Sequence, residues 1–135
     1  MEQKTTPDFI VIDDEAVNNM ICLKIVQSTF PGAVVHTFTE PEQGLEYIIF
    51  TYLGNDIENA VLFLDINMPI LTGWDVLDKF EKYSTIIKER LKIFILSSSV
   101  DARDKQRALN NPLVTDYIPK PLSKAKLQWL FPEYV

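Results

Sequence analysis

The chain has one cysteine, Cys22, and one histidine, His36, among its 135 residues. A single thiol excludes an intramolecular disulfide, so the fold is not a disulfide-stapled scaffold. The His and Cys pairs of a zinc site are missing as well. No apolar run approaches the roughly 20 residues that a membrane-crossing helix needs. The opening "MEQKTTPDF" lacks the basic and apolar regions of a secretion signal. These absences lead us to expect a cytoplasmic chain with no membrane contact. Basic residues are also scarce, 13 against 19 acidic ones, for a net charge of −6. That balance argues against nucleic acid as a partner. No internal repeat or low-complexity segment interrupts the chain.

What remains reads as an ordinary globular protein. The length fits one domain that can bury a core. Charge is unevenly spread: residues 1–67 hold 2 basic and 11 acidic residues, residues 68–135 hold 11 and 8. The bland reading is two differently solvated faces. The sharper one is an acidic pocket supplied early and a partner surface supplied late.

Short apolar runs alternate with helical patterns. "DFIVID" (8–13), "AVVHTF" (33–38), "NAVLFLD" (59–65), "LKIFILSS" (91–98) and "LVTDYI" (113–118) read as strands. The third is nearly all apolar, as expected of a strand buried on both faces. Between them, 15–30 reads as an amphipathic helix facing inward through Val17, Ile21 and Ile25, with Met20 and Val26 flanking. Residues 40–53 form a second helix with Pro41 in its first turn. Residues 72–83 form a third, with Thr72 as N-cap, Asp75 at its third position and Val76, Leu77 and Phe80 inward. A weakly apolar fourth helix (101–111) has Ala102, Ala108 and Leu109 as inward candidates. A fifth (123–131) follows Ser123, a possible cap. Cys22 reads as a small buried hydrophobe, and Trp74 and Trp129 as packing residues. His36, on an edge strand, reads as structural or solvated.

Strands alternating with helices imply a parallel α/β sheet covered on both faces. The fold class expected is flavodoxin-like: a doubly wound, five-stranded parallel sheet, order 2-1-3-4-5, with five helices. That order is taken over from other doubly wound proteins. In such sheets, sites form at the carboxyl ends of the strands. Here those ends carry Asp13 and Asp14, Asp65, Ser97 and Ser98, and Lys120. Taken singly, Asp14 would equally suit a helix cap and Asp65 a turn before Pro69. Taken together, they bring three carboxylates, a hydroxyl and an ammonium to one edge. Clustered carboxylates repel, and a divalent cation relieves that repulsion. All-oxygen ligands favour Mg2+ or Mn2+. A screened aspartate can then attack phosphorus. Lys120 and a serine would contact the phosphoryl oxygens.

The residues in "VIDDE", "LFLDINMPILTGW", "FILSSS" and "YIPKPL" resemble, in order and spacing, the receiver domain of two-component response regulators. The resemblance covers roughly 8–130. It implies Asp65 as phosphoacceptor, Asp14 as a direct Mg2+ ligand, Asp13 as a ligand through water, and Asn67 as a ligand through its backbone carbonyl. It further implies Ser97 as switch hydroxyl, Tyr117 as its aromatic partner, Lys120 as the phosphate-binding lysine and a cis Lys120–Pro121 bond. Two details depart from the usual pattern: Ser98 stands where a small alanine is common, and "NNPLVTD" replaces a glycine before the fifth strand. Register after "FIL" favours Ser97 over Ser98. No output domain is expected after the fifth helix, so residues 1–135 read as a single stand-alone receiver of the chemotaxis type. Its partners would be a sensor histidine kinase or a histidine phosphotransfer protein. A downstream protein target would dock on the fourth helix, fifth strand and fifth helix, where Arg103, Lys105, Arg107, Lys124 and Lys126 cluster. The chain is not expected to be an enzyme beyond self-phosphorylation and slow self-dephosphorylation. A haloacid-dehalogenase-type phosphohydrolase fits less well. Its nucleophile follows the first strand and has a second Asp two residues on, where this chain has Asn67 after Asp65. A phosphorylation-independent binding module or an FMN carrier fits less well again, since the site residues are intact and the strand ends acidic.

Overall fold

The five apolar runs pair side by side in the computed structural model of the chain, which describes residues 6–53 and 59–134. Residues 1–5 and Val135, which enter the leader and chain-end readings above, lie outside the described residues. The strands are β1 (Asp8–Ile12), β2 (Val35–Phe38), β3 (Ala60–Leu64), β4 (Leu91–Ser97) and β5 (Val114–Pro119). They form one sheet in the order β2-β1-β3-β4-β5, every pair parallel. Every residue of β3 is buried, as its apolar sequence requires.

Five helical segments connect and follow the strands. They contain α1 (Ala16–Thr29), α2 (Pro41–Ile48, continued by a π turn through Leu53), α3 (Gly73–Phe80), α4 (Ser84–Arg90), α5 (Ala102–Asn110) and α6 (Lys124–Leu130). A 3-10 turn at Glu81–Tyr83 joins α3 to α4, so the third segment runs on to β4. The sequence reading stops this helix at Tyr83. Nothing between Trp74 and Arg90 breaks it, since that stretch has neither proline nor glycine. The fourth and fifth helices of the sequence reading are α5 and α6.

Strand alternation divides the core in two. Phe9, Val11, Val61, Phe63, Phe94 and Leu96 face α1 and α6. Ile10, Ile12, Leu62, Leu64, Ile93 and Ile95 face the other helices. Phe9 centres the first layer, stacked on Phe30 and Phe63 with ring centroids 6.0 and 6.2 Å away, and edge-on to Phe131 at 5.8 Å. Full burial of each such ring stabilises the fold by about 1.5–3 kcal/mol.

Three inward assignments are corrected. On α1 the buried stripe is Asn19, Cys22 and Val26, while Val17, Met20 and Ile21 are exposed. The helix is apolar on both sides, and its small residues, not its large ones, sit against the sheet. On α5 only Ala108 is buried, and Ala102 and Leu109 face solvent. On α6 Trp129 is exposed, with the Lys126 ammonium 4.5 Å from its ring centre, so it is no core residue. Trp74 does pack against the core, half-buried, and the Arg107 guanidinium of α5 lies 4.2 Å over its ring. Val76, Leu77 and Phe80 are inward as read. Cys22 is buried, and burial, aided by the Asp13 carboxylate, pushes its thiol up to about 11, far from a reactive thiolate. His36 sits in edge strand β2 with its ring 4.9 Å from that of Tyr47, a packing role. Among the described residues, no helix is long and apolar enough to cross a membrane.

Candidate functional site

Asp13, Asp65 and Lys120 each stand one step beyond a strand, still tied to the neighbouring strand by the backbone. The Asp13 N–H donates to the Phe38 carbonyl at 3.1 Å, and the Asp65 N–H donates to the Ile12 carbonyl at 3.0 Å. The Lys120 N–H donates to the Ser97 carbonyl at 2.9 Å. These last rungs of the ladder fix where the side chains begin. Because β1 connects to β2 on one side and has β3 on the other, Asp13 and Asp65 flank the switch point where such sheets bind ligands.

The loop after β3 is equally constrained. Thr72 and Asp75 make the expected capping box: Asp75 N–H donates to Thr72 Oγ1 at 3.2 Å and Thr72 N–H to Asp75 Oδ2 at 2.9 Å. The Thr72 N–H, and the Thr72 hydroxyl donating to the same Oδ2 at 3.0 Å, hold the Asp75 carboxyl below its usual range. Gly73 is required for space. A Cβ there would lie 2.5 Å from the Asp65 carbonyl oxygen and 2.7 Å from Ile66 Cα, both backbone atoms that no rotamer change can move. So α3 abuts the Asp65 peptide itself. Between them Ile70 is fully exposed at φ 69°, a left-handed conformation that costs a β-branched residue about 1–3 kcal/mol.

The side chains then converge. Lys120 Nζ donates to Asp13 Oδ2 at 2.7 Å and lies 3.5 Å from Asp65 Oδ2. Asp13 Oδ1 accepts from the Glu15 N–H at 2.9 Å, and Asp65 Oδ1 from the Asn67 N–H at 3.1 Å. Carboxylate oxygens of Asp13, Asp14 and Asp65 lie within 4.8 Å of one another. Asp13 and Asp65 are buried and Asp14 is half-exposed. Asp14 does not cap α1: that position is Glu15, and no side chain caps it. Burial pushes the Asp65 carboxyl up; the Asn67 N–H opposes this and the Asp13 carboxylate adds to it. Burial pulls the Lys120 ammonium down, but the bond to Asp13 and the charge of Asp65 outweigh it, so its pKa is raised.

One ammonium against three carboxylates leaves the cluster two negative charges in excess when all are ionised. The donor set is all oxygen, with one half-exposed member to admit an ion. These residues fit a hard divalent cation. Ser97 is fully buried at the end of β4, its Oγ accepting from the Ser99 N–H at 3.0 Å. Tyr117 is turned inward, and its hydroxyl donates to the Ser99 carbonyl at 3.2 Å. The Lys120–Pro121 bond is cis. Sequence reasoning missed two residues. Asn19 donates to the Asp13 and Phe38 carbonyls at 3.0 and 3.2 Å. Ser99 Oγ donates to Asp104 Oδ2 on α5 at 2.6 Å. Asn19 was detectable as the polar member of the stripe it shares with Cys22 and Val26; Ser99 carried no signal within "SSS".

The raised Lys120 pKa has a definite sign. Its stabilising effect is fully present below the ordinary lysine value of 10.5 and is lost as pH rises through the higher folded value. Metal-free Lys120→Met is expected to be less stable than the parent at neutral pH, by up to about 3–5 kcal/mol. The difference should narrow on the alkaline side of 10.5. Urea unfolding of both proteins across that range checks this, and a pH-independent gap contradicts it.

Comparison with known proteins places this arrangement. The chain spans about 45% of the length of the curated relatives it matches, among them the cell cycle response regulator CtrA of Brucella ovis, 29% identical over 118 residues and 87% of this chain. A response regulator receiver protein from Dyadobacter fermentans superposes with a TM-score of 0.84 at 26% identity, covering 96% of this chain and 98% of that one. CheY of Borrelia burgdorferi, solved with CheX, beryllofluoride and Mg2+, shares the fold, with a TM-score of 0.72 at 19% identity over 96% of this chain and 90% of that one. The family model for the response regulator receiver domain matches residues 9–130, and with the acidic cluster and Lys120 in place the chain belongs to that family.

Proposed function

We propose that Asp65 is the phosphoacceptor of this receiver and that its phosphorylation resets the surface of α5, β5 and α6. The observation that carries the reading is the Lys120 ammonium held between two buried carboxylates, with a third at the opening. A carboxylate oxygen of Asp65 attacks the phosphorus of a phosphodonor. The P–N or P–O bond to the donor breaks, the donor keeps the bonding pair, and an acyl phosphate remains on Asp65. Asp13, Asp14, Asp65 and the Asn67 carbonyl would hold Mg2+, with Mn2+ as a substitute, and the cation would screen these carboxylates from the incoming phosphoryl group. Lys120, already 3.5 Å from Asp65 Oδ2, would pair with a phosphoryl oxygen. The Borrelia CheY neighbour, with beryllofluoride and Mg2+, supports this use of the fold. Self-phosphorylation and slow self-dephosphorylation are the only chemistry assigned.

The route to the surface follows from the hydrogen bonds. Ser97 Oγ accepts the Ser99 N–H through a lone pair, so its own O–H is available to a phosphoryl oxygen. Ser99 in turn gathers four bonds: its N–H goes to Ser97, its carbonyl accepts from Tyr117, its Oγ donates to Asp104, and its Oγ accepts from the Asp101 N–H at 3.2 Å. A shift of Ser97 toward the phosphoryl group therefore pulls on the first turn of α5. That helix has one buried residue, Ala108, so little packing resists the shift. Arg103, Lys105, Arg107, Lys124 and Lys126 lie on this face, the proposed contact for a downstream protein. The phosphodonor partner would be a sensor histidine kinase or a histidine phosphotransfer protein, in a cytoplasmic setting.

Incubation with acetyl phosphate and Mg2+ should add one phosphoryl mass to the parent and none to Asp65→Asn; equal labelling of both rejects the assignment. The relay has its own reporter, because Trp74 lies under Arg107 of α5. In a Trp129→Phe background, beryllofluoride with Mg2+ should change Trp74 fluorescence. Adding Ser99→Ala should largely abolish that change while beryllofluoride still binds. An undiminished response means that α5 is not driven through Ser99.

A further inference from the structure

We infer that Asn19 is a positioning residue for the cation-binding carboxylates. The inference rests on the divalent-cation reading of the acidic cluster.

Asn19 occupies the buried face of α1, one turn before Cys22 and two before Val26, both apolar in their surroundings. Its amide nitrogen has two protons, and both are used: one on the Asp13 carbonyl at 3.0 Å, the other on the Phe38 carbonyl at 3.2 Å. Both partners are acceptors, so the amide cannot be turned around without setting oxygen against oxygen. Its Oδ1 is left buried with no partner among the described residues. An unmatched acceptor of this kind is costly, and Asn is a poor choice for a helix interior. An aliphatic side chain at position 19 would remove that unmatched acceptor but leave the buried Asp13 carbonyl without its donor.

What the residue does hold is the backbone of a metal-site carboxylate. The Asp13 N–H already donates to the Phe38 carbonyl at 3.1 Å. Asn19 ties the carbonyl of the same residue to the same acceptor. Both polar groups of Asp13 are thereby anchored to the end of β2, and the Glu15 N–H donates to Asp13 Oδ1 from the other side. The turn that presents Asp13 and Asp14 is clamped at three points. Like-charged carboxylates would otherwise relax apart. Without the clamp, the work of gathering them falls on the incoming cation and weakens its binding.

The test uses the full chain and Mg2+ alone, followed by calorimetric titration, with metal-free urea unfolding run in parallel. Asn19→Leu should weaken Mg2+ binding about 10-fold or more, in the range seen when outer partners of metal ligands are removed. The metal-free unfolding curves set the conditions, so that each variant is titrated where it is fully folded and the weakening reports the site and not the fold. A merely structural residue would lower the midpoint alone, with Mg2+ affinity retained in the folded protein. Asn19→Ala, measured alongside, leaves a small cavity but should weaken Mg2+ to the same degree. Parent-like Mg2+ affinity in either variant, measured where it is fully folded, overturns the inference. If the parent itself binds no Mg2+, the cation reading fails first, an outcome separate from any difference among the variants.

Discussion

The Lys120 ammonium, 2.7 Å from Asp13 and 3.5 Å from Asp65, is the contact on which the site depends. Without it, two buried carboxylates would face each other with a third close by, and burying them ionised would be prohibitive. With it, the cluster is tolerable yet still short of positive charge. That residual imbalance is what makes the pocket receptive to a divalent cation. The constraint also explains why the sheet must be parallel and in this order. Asp13 leaves β1, Asp65 leaves adjacent β3, and Lys120 leaves β5 by a backbone bond to the end of β4. The aromatic layer under Phe9 and the aliphatic layer under Ile12 keep those strand ends in register.

Rigidity is unevenly distributed around this point. Near Asp65 the backbone is closed in by Gly73, the capping box and the left-handed Ile70. Near Asp13 it is closed in by Asn19. On the far side of Ser97 the structure loosens: α5 is held by Ala108, by Ser99 and Asp104, and by the stack of Arg107 on Trp74. The pocket and α5 are thus built from different materials, as the proposed shift of that helix requires. One is backbone bonds and close packing; the other is partly exposed polar contacts around a single buried alanine.

Much of this was legible in the sequence, and the failures have a common cause. Strands were readable because a strand buried on both faces, such as Ala60–Leu64, tolerates nothing but apolar residues. The cluster was readable because polar groups ending four apolar runs, three of them charged, have few structural reasons to recur. The charge asymmetry is only in part that of the site: of the eleven acidic residues in 1–67 the pocket gathers Asp13, Asp14 and Asp65, and of the eleven basic residues in 68–135 five lie on α5 and α6. The inward face of α1 was misread because counting large apolar residues favours Val17, Met20 and Ile21. The sheet instead accepts a thiol, a valine and an amide. Leu109 and Trp129 were assigned inward by the same rule and lie outside. Side-chain hydrogen bonds such as those of Asn19 and Ser99 depend on which face is buried and on which carbonyls a loop presents. Neither is encoded in a local pattern.

The central claim is that Asp65 carries the phosphoryl group, and chemical mapping tests it most directly. An acyl phosphate formed from a phosphodonor and Mg2+ can be reduced with borohydride, which converts the modified aspartate to homoserine. Peptide mass mapping of the reduced protein should place homoserine at position 65. Homoserine at position 13 or 14 instead, or none at any aspartate after confirmed phosphoryl uptake, would contradict the account.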